Sequence, residues 1–199
     1  MRALTHAIAT WSALVAFVFA EPAAAASREG SAGAQGATVS LPPAVSRQVG
    51  ALLPLGAGEM TWFGLKIYAA SLWVTLPTPQ PLSDGPFALA IRYERQIPGA
   101  RLVATSIEEM ARMGFGDEAQ RERWRGLLSQ ALPSVAPGET LVGLNLPGSG
   151  ARFWHNGRLT AEIKDEQLAR AFFAIWLDER TREPELRARL LGKSAQRDE

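Results

Sequence analysis

The chain has 199 residues, no cysteine, and 21 basic against 20 acidic side chains, for a formal charge of +1. That length suits a single domain with a core of its own. The missing cysteines exclude disulfides, thiolate metal sites, a cysteine nucleophile and lipid attachment at cysteine, and the near-neutral charge leaves no electrostatic footprint for nucleic acid.

The first element in chain order is an export signal. Arg2 gives a positive start, Ala7 to Ala20 is an apolar run, and Ala23 to Ala26 offers small-residue cleavage sites. The run is shorter than the ~20 residues of a spanning helix. The pattern predicts a signal peptide over 1–26, cleaved near Ala26, and a periplasmic or secreted protein. Residues 27–38, rich in Gly, Ala and Ser, read as a flexible leader, and the domain is expected over 39–192 with a loose tail at 193–199.

LPPAVSRQVGALLPL, residues 41–55, carries prolines and scattered apolar side chains, which predicts short edge strands and turns. Glu59 to Thr75 reads as strand, pinched into a hairpin near Phe63-Gly64, and it is apolar on both sides. Pro77, Pro79, Pro81 and Asp84-Gly85 mark a loop. FALAIRYER, 87–95, is a half-buried strand. Leu102, Val103, Ile107, Met110 and Met113 then fall at helical spacing, closed by Gly114. Asp117 caps a second helix that buries Trp124, Leu127, Leu128 and Leu132. After Pro137-Gly138 come three strands, LVGLNLP, ARFWHN and RLTAEI, the last two joined at Asn156-Gly157, a two-residue hairpin signal. Asp165 caps a third helix, EQLARAFFAIWLDER, and Pro184 opens a short last one. Strands, helices, strands, helices is an α+β order.

The residues advertise little chemistry. His155 is the one histidine outside the signal segment. It sits beside a hairpin turn, no G-x-S-x-G elbow accompanies it, and it reads as locally bonded. Gly56-x-Gly58 and Gly148-x-Gly150 lack the strand-to-helix context of a phosphate loop and read as turn or bulge glycines. Asp178, Glu179, Glu183 and Glu185 lie at helix ends among arginines and read as a solvated face. Neither a metal site nor a cofactor motif is visible. Phe172, Phe173 and Trp176 lie at helical spacing, which suits either core packing or the wall of a pocket.

Taken in order, GAGEM, FGLKIYAASLWV, GPFALAIRY, IEEMARMGF, PGETLVGLNLPGSGARFWHNGR and FFAIWLDERTREPEL resemble the chalcone isomerase family, most closely its exported bacterial branch, from about Leu53 to Leu191. The resemblance implies an open-faced sandwich: a large antiparallel sheet, helices on one side, and a ligand cleft between them that takes a flat aromatic substrate or a fatty acid. It also implies which positions should carry chemistry. The family's arginine falls on Met60, a threonine on Tyr68, a tyrosine and an asparagine near Ala104 and Ala111, and a late-helix threonine on Ile175. None of those residue types is kept. Catalysis in the family closes a ring by phenolate attack on an enone, which needs positioning and charge stabilisation. Removing such stabilisation costs about 3 kcal/mol or more. The fatty-acid-binding members use the same arginine, so Arg92 and Arg95 become candidate substitutes.

The expectation is therefore an exported, non-catalytic protein holding a hydrophobic small molecule or lipid, such as an acyl chain or isoprenoid. Candidate lining residues are Met60, Tyr68, Trp73, Arg92, Arg95, Phe172, Phe173, Ile175 and Trp176. An intramolecular lyase or isomerase on an aromatic enone, and a surface interaction module with a filled core, remain the alternatives.

Overall fold

A computed structural model describes residues 38–193, and the expected signal segment, most of the leader and the end of the tail lie outside them. A short helix, α1 (Pro43–Val49), precedes a long hairpin, β1 (Leu53–Trp62) and β2 (Leu65–Val74). A single 3-10 turn over Leu82–Asp84 leads to β3 (Phe87–Tyr93). Two helices follow, α2 (Gly99–Arg112) and α3 (Glu118–Ala131), and then β4 (Thr140–Leu146), β5 (Gly150–His155) and β6 (Arg158–Ile163). Two more, α4 (Glu166–Leu177) and α5 (Pro184–Leu190), end the domain. The strands form a six-stranded sheet in sequence order, every neighbouring pair antiparallel.

Local chemistry explains most element ends. The Asp117 side chain accepts the Gln120 amide at 2.7 Å and the Asp165 side chain accepts the Leu168 amide at 2.8 Å, satisfying amides that have no partner in the first helical turn. Phe63-Gly64 and Asn156-Gly157 both have positive φ at the two central positions, as a tight hairpin turn requires.

The segment expected as edge strands behaves differently. Pro42 and Pro43 open helix α1, where a proline at the first helical position loses no needed hydrogen bond. Strand β1 also starts earlier than expected, at Leu53, and runs through Gly56 and Gly58. These glycines are packing residues. A Cβ at Gly56 would lie 2.1 Å from the Arg189 carbonyl oxygen, and one at Gly58 would lie 2.7 Å from the Leu186 side chain. Helix α5 rests directly on β1, and only glycine admits it so closely.

The sheet has two covered faces. On one, Ala70, Leu72, Val74, Phe87, Leu89, Ile91 and Phe153 meet Val103, Ile107, Met110, Trp124, Leu128, Leu168, Phe172, Phe173 and Leu186 from the helices. On the other, Ala69, Ala88, Ala90, Val142, Leu144 and Trp154 meet Val39, Val45 and Leu52 from the N-terminal segment. That segment is stapled down by polar contacts: the Val39 amide donates to the Ser71 hydroxyl at 2.8 Å, and the Trp73 indole donates to the Val39 carbonyl at 3.0 Å.

Candidate functional site

Strand register sets three side chains in a row on the helix-facing side. Met60 pairs with Tyr68, and Tyr68 pairs with Tyr93. The two tyrosine rings meet edge to face, 5.9 Å apart. From α4, the Trp176 indole donates to the Tyr68 hydroxyl at 3.0 Å. Among the described residues, the Tyr68 proton meets no acceptor and the Tyr93 hydroxyl has no hydrogen-bond partner. Burial raises the pKa of Tyr68 well above 10, and the nearby Glu183 carboxylate raises it further, while the Trp176 hydrogen bond acts the other way. Burial raises Tyr93 likewise, with the Tyr68 phenol adding to it. Both groups therefore remain neutral phenols, with protons available to an oxygen acceptor.

An aromatic seam runs from this row along the sheet–helix interface. Trp176 contacts Phe172 at 5.4 Å, Phe172 contacts Phe173 at 5.5 Å, and Phe173 contacts Phe87 at 4.9 Å, each edge to face. Phe153 packs on Phe172 at 5.2 Å. At the Phe87 end the seam opens into a groove of about 450 Å³. Its apolar wall is Leu82, Phe87, Phe173, Ala174 and Leu177, and Asp84, Arg170 and Asp178 stand on its rim. A second groove, of about 520 Å³, lies by the β4–β5 turn among Pro147, Gly148, Arg152, Glu162 and Lys164, and includes none of the candidate lining residues.

The predicted lining divides accordingly. Met60, Tyr68, Phe172, Phe173, Ile175 and Trp176 all lie in or against the helix-side core. Trp73 does not join them: it packs with Ala69, Ala88 and Ala90 on the opposite face. It lies five positions after Tyr68, an odd offset, so the strand pleat turns it the other way. Arg92 pairs in register with Ala69 on that same opposite face and reaches Glu94 at 3.5 Å. Arg95 donates to the Lys66 carbonyl at 3.3 Å. Neither arginine stands in for the one absent at Met60.

Other residues at the site were not singled out as lining. Tyr93 is one, hidden in a strand that reads simply as half-buried. Arg189 of α5 is another: its side chain lies over Gly58, two residues from Met60, but is half-exposed and faces Glu185 at 3.9 Å. Glu109 of α2 is buried and bound by Arg112 at 2.8 Å and Arg182 at 3.3 Å, which ties α2 to the loop before α5. Glu183 reads as solvated in the sequence, yet burial holds its carboxyl above the usual range, Glu185 and Glu109 add to that, and Arg189 opposes it. No sequence signal marks these groups, because they converge from separate elements.

The other motifs resolve as local structure. His155 approaches the Glu139 carboxylate at 3.1 Å beside the hairpin turn. Among the described residues, no group of three or more His, Cys, Asp or Glu is placed to hold a metal ion, and no helix is long and apolar enough to cross a membrane. The site offers hydrogen-bond donation beside an apolar seam, with the Glu183 carboxylate and the half-exposed Arg189 guanidinium both at its edge.

An antiparallel sheet with a helical layer over an apolar seam defines an α+β open-faced sandwich. The chain belongs to the chalcone isomerase-like family, whose model matches residues 33–192. Among solved structures, a crystal structure of an Arabidopsis thaliana fatty-acid binding protein is similar over 71% of this chain and 87% of that chain, with a TM-score of 0.55 and 14% identity. At that identity the likeness concerns the fold. Comparison with curated protein sequences finds no match.

Proposed function

We propose that this protein is an exported bacterial member of its family that binds a hydrophobic small molecule between sheet and helices without transforming it. The observation that carries the reading is the pair of neutral phenols, Tyr68 and Tyr93, with unclaimed protons at the end of an apolar seam. Such donors favour a ligand with an oxygen acceptor and a long apolar body. Two features refine the ligand class. Met60 supplies no positive charge opposite Tyr68, and Glu183 places negative charge near it. A neutral head group, such as an ester or a protonated acid on an acyl or isoprenoid chain, suits this site better than a carboxylate. Met60, standing where the family's arginine falls, leaves a developing enolate without a cationic partner beside Tyr68, which argues against the ring-closing reaction. The fatty-acid ligand named for the Arabidopsis protein is of a compatible class. The apolar run over Ala7–Ala20 and the small residues after it support export.

A second reading rests on one observation. The Trp176–Tyr68 hydrogen bond closes the seam at that end, as a filled core would. Mass measured on the chain from Ser27, under native and then denaturing conditions, separates the two. The binding reading expects an extra mass that disappears on denaturation, or uptake of methyl palmitate in preference to palmitate at neutral pH. Tyr68→Phe should weaken that uptake by roughly fivefold, the worth of one hydrogen bond. No retained mass and no uptake would instead support an interaction module with a filled core.

A further inference from the structure

The tip of the first hairpin is the most exposed apolar feature of the described residues. Regular pairing between β2 and β3 ends at Tyr68 and Tyr93, with one further backbone bond from the Glu94 amide to the Ile67 carbonyl, so the residues around Phe63-Gly64 project as a two-stranded ribbon without a third strand. Trp62 faces Leu65 across the turn, and Trp62 and Phe63 meet edge to face at 4.8 Å. Phe63 is 87% exposed, Leu65 49% and Trp62 45%. Residues Met60 to Leu65 carry no charge. Charge returns in a collar at the ribbon's root, where Lys66 pairs with Glu59 at 2.6 Å and Arg92 faces Glu94 at 3.5 Å. Arg95 also stands there, its Nε bonded to the Lys66 carbonyl, and among the described residues it pairs with no carboxylate.

Folding alone does not require this arrangement. A turn with positive φ at its first central position is better served by asparagine, as at Asn156-Gly157, than by phenylalanine. Phe63 is held in that conformation with its ring in solvent, where it contributes nothing to the core.

We propose that this tip is a lipid-bilayer anchor: Trp62, Phe63 and Leu65 insert at the level of the lipid head groups, and the collar stays in water. Three features favour a bilayer over a protein partner. The exposed parts of the three side chains offer less than half of the roughly 800 Å² per partner that a stable protein interface uses. The surface is a convex tip rather than a face or groove. The neighbouring edge of β1 is unsuited to adding a partner strand, since it carries Pro54 and irregular pairing at Pro54/Gly56 and Met60/Thr61. A bilayer asks only for a few tryptophan, phenylalanine and leucine side chains at its interface, with cations able to reach the head groups behind them. The inference does not depend on a ligand in the seam. Should one be bound, Met60 at the ribbon's root would put the Tyr68 row on the membrane side.

The test is flotation of the chain from Ser27, which retains every contact described for residues 38–193, with vesicles of phosphatidylcholine alone and of phosphatidylcholine with phosphatidylglycerol. The comparison protein carries Trp62→Thr and Phe63→Asn. Threonine suits a strand and asparagine suits the turn, so the fold should persist, and an unchanged thermal unfolding curve checks it. The expected result is flotation of the parent, stronger on the anionic vesicles, with partitioning reduced roughly tenfold or more in the variant. Failure of the parent to float on either vesicle, or equal flotation of the two proteins, would overturn the proposal. Tip-dependent self-association without flotation would also overturn it, in favour of a protein contact. As a second readout, quenching of Trp62 by brominated lipid should vanish in Trp62→Phe while flotation persists.

Discussion

The two faces of the sheet solve the burial problem in opposite ways. On the face under α1, β2 and β3 present Ala69, Ser71, Ala88 and Ala90, with Trp73, Val142, Leu144 and Trp154 beside them, and the N-terminal segment is held there by two hydrogen bonds to Val39. The face under α2 to α5 is floored with large side chains that meet aromatic rings from α4. Small residues allow close, featureless contact. The groove at Phe87 and the unclaimed phenols both occur on the second face. The proposed binding function is assigned to that face because the Phe87 groove and the two phenols lie there.

The contrast can be broken from either side. Phe172→Ala removes the ring that joins Trp176, Phe173 and Phe153, and should cost about 3–5 kcal/mol in urea unfolding. It should leave α1 seated, so the fluorescence of Trp73 should change little. Ala90→Leu attacks the other face. Overpacking against α1 should cost about 1–3 kcal/mol. Here the environment of Trp73, bonded to Val39, should change, while the Tyr68–Trp176 contact stays intact. Comparable effects of both substitutions on both faces would mean that the two layers are not independent.

The smallest expected effect concerns pH, and two carboxylates near the end of α4 predict opposite trends. Asp178 is held at about 2, chiefly by its hydrogen bond from Arg180. Its contribution is present above its ordinary pKa and is lost as pH falls through that depressed value. Glu183 is raised, chiefly by burial. Folding favours its protonated form, so its effect is most favourable below the ordinary glutamate value and declines as pH rises through the raised one. Glu183→Gln should therefore flatten stability over the mildly acidic range and leave the acid limb due to Asp178 in place. Chemical unfolding at a series of pH values checks both. A stability curve unchanged by Glu183→Gln would mean that Glu183 is solvated, as its sequence context suggests.

Local signals in the sequence were read correctly where one residue settles the outcome. Asp117 and Asp165 cap their helices because a carboxylate beside free amides needs no distant partner. Asn156-Gly157 turns the chain because few other pairs tolerate its dihedral angles. Helix α1 was missed because LPPAVSRQV has no apolar stripe. It is helical through two prolines at its start and through burial of Val45 against the sheet. Gly56 and Gly58 read as turn or bulge glycines, and an irregularity in pairing does fall at Pro54/Gly56, but their close packing against α5, more than a hundred residues away, is not legible.

The candidate site shows the same division. An apolar strand over Leu65–Val74 and an aromatic helix over Glu166–Leu177 are legible in the sequence, and so is the family through the order of its motifs. Which side of that strand faces the helix is not legible, because a strand covered on both faces loses the alternation that would reveal it. Tertiary structure decided that Tyr68 meets α4 and Met60 joins the same helix-side core, while Trp73 packs under the N-terminal segment. It also decided that Glu183, which looks solvated beside arginines, is half-buried and close enough to Tyr68 to act on it electrostatically. Caps and turns are determined over a few consecutive residues, so the sequence contains their physics. Facing, burial and the company of a charge depend on elements that meet only after the chain has folded.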